Sequence, residues 1–254
     1  MRDVIAASGM VLSAMPIGEY DKRVVLLTKQ LGRITAFARG ARRQNSPLLA
    51  STRPFVLGTF SLFPGRNSYS LQSAEVTEYF DQLGTDLEAV SYACYFAELA
   101  EYYTRENVDE SQMLNLLYVS IKALLAGWVP RPLVRRIFEM RAMVINGEYP
   151  QIFTCMKCGE EPEEGIYSKT RKGILCPHCQ KTREGELFLG QAALHALRYA
   201  AAAPLQRLYR FTLKEEAFRE MEQVVSAGLS AFVDKKFHSL KVLEALQNEK
   251  NPVK

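Results

Sequence analysis

At 254 residues, 48% of them hydrophobic and 24% charged, the chain can bury a substantial core as one large domain or a few small ones. No apolar run reaches membrane-spanning length, and the opening Met-Arg-Asp-Val-Ile reads as no signal peptide, so a cytoplasmic protein without disulfides and with no membrane partner is expected. The net charge of +4 excludes little, but it is unevenly spread: +5 over 1–80, −4 over 81–150, zero over 151–186 and +3 over 187–254.

Residues 1–80 read as a small β-barrel. Apolar, β-branched segments recur at 5–15, 23–28, 33–38, 55–63 and 69–77, separated by turn chemistry at Pro16/Gly18, Gly32, Gly40–Pro54 and Pro64-Gly65-Arg66-Asn67. Five short strands with the longest connection between the third and fourth are the pattern of an OB-fold, and an SH3-like barrel is the alternative. From Gly32 to Arg53 the chain carries five arginines and no acidic residue. Alternation along the third strand puts Arg33, Thr35, Phe37 and Arg39 on one face. Arg42 and Arg43 continue the charge into the following loop, Arg23 contributes from the second strand, and Arg66 from the 4–5 turn. Guanidinium groups for phosphates and a ring on which a base can stack suit a nucleic-acid strand. The bland reading is a solvated basic face with Phe37 turned into the core.

From Leu83 the period becomes helical. Thr85 and Glu88 form a capping box for a helix reaching about Arg105, a second helix follows Asp109 to Gly127, and Pro130 and Pro132 open a third that ends near Ile145. Arg135 and Arg136 lie near the start of that third helix and Arg141 further on, against the preference of cations for the C-terminal end. They suggest an anionic partner; a solvated face is the alternative. After residues 151–186 the helices resume with Gln191–Ala202, then a capping box at Thr212 and Glu215 for a helix to about Phe232, then a short amphipathic stretch around Leu243. The early and late helices are expected to pack as one bundle. The expected architecture is α+β and multidomain: an OB-fold barrel (1–80), a helical bundle domain in two parts (81–150 and 187–254), and an inserted four-cysteine zinc-binding module (151–186).

Four of the five cysteines, Cys155, Cys158, Cys176 and Cys179, stand in a C-x2-C-x17-C-x2-C arrangement that reads as a zinc site. Four thiolates close a tetrahedron and leave no position for substrate, so the zinc is expected to be single and structural. An iron centre in the same cage and a redox-active pair are the rivals. His178 is not needed for the shell, and Cys94 sits among apolar helical neighbours. No P-loop and no dinucleotide-binding glycine motif is present, and no carboxylate cluster stands in a polar loop of the basic segment, so no enzyme is expected.

The runs Gly9-Met-Val-Leu, Gly18-Glu-Tyr-Asp-Lys-Arg-Val-Val-Leu-Leu-Thr, Gly32-Arg-Ile-Thr-Ala-Phe-Ala-Arg-Gly-Ala-Arg-Arg and Pro54-Phe55 closely resemble the start of the bacterial RecO recombination mediators. The order of barrel, helices and inserted cysteines extends the resemblance over the whole chain. It implies an ATP-independent, cytoplasmic and nucleoid-associated protein of the RecF pathway. Such a protein binds single- and double-stranded DNA, anneals complementary strands, joins RecR, engages the acidic C-terminal tail of single-stranded DNA-binding protein, and helps load RecA. It implies DNA contacts at the arginines of 32–43. A zinc-ribbon, OB-fold factor that contacts RNA in transcription or translation stands as the other reading, beside a scaffold whose barrel binds protein alone.

Overall fold

The computed structural model of the chain describes residues 3–180 and 187–250, which fall into two compact units: Met1–Tyr118 with Phe237–Lys254, and Val119–Lys236. In the first, strands β1 (Ile5–Ile17), β2 (Asp21–Thr28), β3 (Gly32–Ala38), β4 (Leu57–Pro64) and β5 (Tyr69–Glu78) close a barrel in the order β1-β2-β3-β5-β4. A parallel β3–β5 contact and an antiparallel β1–β4 pairing complete the closure, which is the OB-fold order. A single helical turn, α1 (Leu48–Ser51), lies in the connection between β3 and β4. Alternation works as the sequence requires: Val24, Leu26, Ile34, Ala36, Phe60 and Leu62 fill the barrel, while their neighbours in sequence face outward or under a helix.

Helix α2 (Leu87–Tyr103) packs against β1 and against the last helix, α7 (His238–Lys250). Its cap is Asp86, one residue later than the expected Thr85: the Asp86 carboxylate accepts from Ala89 N, whereas the Thr85 hydroxyl donates to the Gln82 carbonyl of a preceding 3-10 turn. Phe237 leads into α7 and meets Tyr95 edge-on at 5.6 Å. The late helices therefore do not all join one bundle, because Tyr95 and Glu98 on α2 recruit the C-terminal segment to the first unit.

The β2–β3 turn is zipped to the segment after α2. Arg33 N donates to Arg105 O, Asn107 N to Leu31 O and Glu110 N to Lys29 O, at 2.9–3.0 Å. Gly32 makes this possible: its φ is +67°, and a Cβ there would stand 2.0 Å from the Arg105 carbonyl oxygen. Gly32→Ala is expected to cost about 1–2 kcal/mol for the left-handed backbone plus about 1 kcal/mol for each hydrogen bond forced open. Gly18, with φ +55° and nothing within 4 Å, is the control and should lose only the backbone part. Urea unfolding of both variants measures the difference, and equal losses would remove the zipper's role.

The second unit holds helices α4 (Arg131–Ile145), α5 (Gln191–Ala202) and α6 (Glu215–Phe232), packed on one another, with strands β6 (Gly165–Ser168), β7 (Gly173–Leu175) and β8 (Leu187–Leu189) in the order β7-β6-β8. Helix α3 (Ser111–Ala126) contains the boundary between the units. The expected Thr212 capping box does not form: α6 starts at Glu215 behind Lys214 with no side-chain cap, and Glu215 and Glu216 in the first turn complement the helix dipole instead.

Candidate nucleic-acid face and four-cysteine site

The outer face of β3 presents Arg33, Thr35 and Phe37, and Phe37 is 36% exposed, so it is not a barrel core residue. Arg23 stands directly opposite Phe37 on β2, and Arg39, just beyond β3, is exposed with no ion pair among the described residues. Arg33 does other work. Its Nε donates to the Thr104 carbonyl at 3.0 Å and its Nη1 lies 3.8 Å from Glu101, which commits it to the end of α2.

The loop after β3 folds back on the β1–β2 turn. Arg42 donates from its backbone to Tyr20 O and from Nη1 to the Gly18 and Glu19 carbonyls, and the Arg43 guanidinium lies 5.1 Å from the centre of the Tyr20 ring. Two loops thus become one basic surface. Lys22 belongs to it, donating to the Thr52 hydroxyl at 2.9 Å. Burial first, and then the charges of Arg42 and Arg53, depress the Lys22 pKa below its ordinary value. Arg66 is exposed in the β4–β5 turn. Tyr20 was not among the site residues expected from the sequence; a Tyr in a turn gives no signal until the two loops meet.

The four cysteines come together. Cys155, Cys158, Cys176 and Cys179 place their Sγ atoms within 4.8 Å of one another, with Cys158 and Cys176 3.7 Å apart. Each pair sits on a tight knuckle closed by a backbone hydrogen bond, Gly159 N to Cys155 O and Cys179 N to Cys176 O. Burial alone would raise the Cys155 thiol, but backbone N–H groups of Cys158, Cys176 and Lys157 outweigh it and hold it at about 6. Cys179 moves the other way, raised to about 12 by its hydrogen bond with Cys176, and four sulfurs crowded together are the donor set of a tetrahedral metal ion, which these residues fit.

Two of the arginines of α4 are brought together, but not at the surface. Arg135 and Arg136 are buried and converge on Glu139, which is fully buried: Arg135 Nε and Arg136 Nη1 each lie 2.8 Å from its carboxylate, and Arg136 Nη2 lies 2.7 Å from Glu222 on α6. Burial opposes the Arg136 charge, yet Glu139 and Glu222 prevail and raise its pKa above the usual arginine value. Arg141 donates to the Ala203 carbonyl. For Arg135 and Arg136 the expectation of a basic docking surface is corrected, because both are buried against carboxylates, while Arg141 is engaged by a backbone carbonyl. A cavity of about 340 Å³ lies elsewhere in the second unit, lined by Val119, Ala123, Trp128, Leu205 and Tyr209 with Lys122 and Arg210.

A closed OB barrel with a basic outer face, followed by helices that carry an inserted four-thiolate module, defines an OB-barrel protein with a helical domain and a metal-type knuckle. Residues 1–80 match the family model described as Recombination protein O N terminal, and residues 84–241 the one described as Recombination protein O C terminal. The DNA repair protein RecO of Acetivibrio thermocellus is 29% identical over 97% of this chain and 98% of its own length. That of Symbiobacterium thermophilum is 30% identical over 94% and 96%, and that of Bacillus pumilus 31% over 87% and 86%. The chain belongs to the RecO family.

Proposed function

We propose that this protein acts in DNA repair as a recombination mediator of the RecF pathway, binding single- and double-stranded DNA, annealing complementary strands without ATP and helping RecA onto coated strands. The observation that carries the reading is the surface built by Arg39, Arg42, Arg43 and Lys22 beside the exposed Phe37. Arg23 and Arg66 extend it, while Arg33 is held by α2 and contributes to the fold. The protein works by holding strands rather than by transforming them. One zinc ion held by the four cysteines keeps the module folded. Partners are RecR, the acidic tail of single-stranded DNA-binding protein and, indirectly, RecA; the site of action is cytoplasmic, at the nucleoid.

Each arginine–phosphate contact releases condensed counterions, so the log–log salt slope on single strands should be about −0.7 per contact. The combined Arg39→Ala, Arg42→Ala, Arg43→Ala variant should bind every DNA sequence more weakly and flatten that slope by about 2. Unchanged affinity and slope in the folded variant would remove this face as the DNA element. A clear preference for RNA over single-stranded DNA in competition would favour the RNA-binding alternative.

For the acidic tail, the cavity beside Trp128 is better suited than α4: its walls are mostly apolar, and the exposed Arg210 lines it. Arg210→Glu is expected to weaken tail-peptide binding at least tenfold, about 1.4 kcal/mol, with DNA binding retained. Wild-type peptide affinity in that variant would place the tail elsewhere.

A further inference from the structure

The register of the barrel places five residues in one row across its outer surface. Met15 is opposite Arg23, Arg23 opposite Phe37, Phe37 opposite Ser70, and Ser70 opposite Phe63. Residues directly opposite on neighbouring strands point to the same side of a sheet, so the row shares the outward face that Phe37 occupies. Exposure agrees. Met15 is 54% exposed, Phe37 36% and Phe63 43%, whereas Leu62, the neighbour of Phe63 in sequence, is fully buried in the barrel.

Three large apolar side chains thus stand exposed in one line. Their spacing follows from the sheet. Strands lie about 4.8 Å apart, so Met15 and Phe63 each stand roughly 10 Å from Phe37, two strands away on either side. That is roughly the span of three stacked nucleotides at about 3.4 Å each, and fewer if the strand is extended. The charge beside the row is of one sign. Arg23 lies within it, Arg39 follows Phe37 by two residues, and Arg66 follows Phe63 by three. Arg39 and Arg66 carry no ion pair among the described residues. Asp21, the acid nearest to Arg23 along β2, is engaged by Gly40 N at 2.7 Å.

We propose that this row is a stacking track for one strand of nucleic acid, with Phe63 as a second base platform beside Phe37, Met15 as a third apolar contact, and Arg23, Arg39 and Arg66 on the phosphates. The inference rests on the reading that the barrel binds DNA. It adds where the bases lie and why single strands are held differently from duplex: rings grip unpaired bases, while paired bases keep their faces stacked inside the helix. A single strand is favoured over a protein partner as occupant because Arg23 within the row and Arg39 and Arg66 beside it put cations near both rings, where phosphates flank stacked bases.

The test uses the full-length protein, a labelled oligo-dT strand and a duplex of equal length, with binding followed by fluorescence anisotropy at several salt concentrations. Phe63→Ala should weaken oligo-dT binding about 5- to 150-fold, leave the salt slope unchanged and leave duplex binding unchanged. Phe63→Tyr, which keeps the ring, should restore oligo-dT affinity. Met15→Ala should give a smaller loss in the same direction, and it serves as the second probe if Phe63→Ala melts early. Oligo-dT affinity unchanged in both alanine variants, beside weakened binding by the triple arginine variant, overturns the track but not the DNA-binding barrel. Unchanged affinity in all three overturns both. Equal weakening on duplex and single strand also overturns the track, since a stacking platform has no purchase on paired bases.

Discussion

Cys158→Ser is expected to unfold the four-cysteine module as thoroughly as Cys155→Ser, although Cys158 is exposed and Cys155 buried. If the sulfurs only packed, the exposed one would be nearly neutral and the buried one costly. If they share an ion, each removes one quarter of its shell. The sulfurs form most of a small apolar cluster of their own, Cys155, Leu175 and Cys176 with Cys179 against it, so two of its three buried members are cysteines that a shared ion would hold. In small zinc modules metal-binding energy is folding energy, about 10–16 kcal/mol apparent at pH 7. Either serine variant, or chelation of the wild type, should therefore expose the amides of β6 and β7 to hydrogen exchange while the barrel strands stay protected. About one zinc per chain by elemental analysis is the companion result. Full protection of β6 and β7 in a metal-free, reduced Cys158→Ser protein would show that packing alone holds the module.

Glu139→Ala should be among the most destabilising substitutions in the second unit, at about 3–5 kcal/mol, because it withdraws a fully buried carboxylate from two buried guanidinium groups. Glu222 still faces Arg136, so part of the charge stays compensated and the loss should fall towards the lower end. Replacing all three, Arg135→Met, Arg136→Met and Glu139→Leu, should recover most of that loss, since removing a whole buried ion cluster is often neutral or stabilising by about 1–4 kcal/mol. Urea denaturation of the single and triple variants reads both. A loss below about 1 kcal/mol for Glu139→Ala would mean that water reaches the cluster. The same geometry explains why charge reversal at Arg135 or Arg136 is a poor probe of partner binding: a glutamate there would face Glu139 and damage the fold first.

The sequence by itself determined what depends on backbone geometry and local spacing. Alternation along 33–38 put Arg33 and Phe37 on one face and Ile34 and Ala36 on the other, because side chains swap sides at every residue of any strand. The two C-x2-C pairs named all four cysteines that come together, since a knuckle of that length offers both sulfurs to one point. Turn chemistry separated the five strands to within a few residues of their observed ends. Tertiary structure decided the partners. Phe37 faces solvent because the barrel curls towards Ile34 and Ala36, and which side of a strand becomes concave is set by the strands that pair with it. Arg33 looked like its neighbours in the arginine-rich stretch until Thr104, 71 residues on, offered it a carbonyl. Arg136 had Glu139 three residues away, a pairing open to local reasoning, but Glu222, 86 residues away, reaches it only once α4 and α6 pack. A guanidinium carries the same charge and donors wherever it stands, and only the closed fold determines whether phosphate, carboxylate or backbone carbonyl comes within reach.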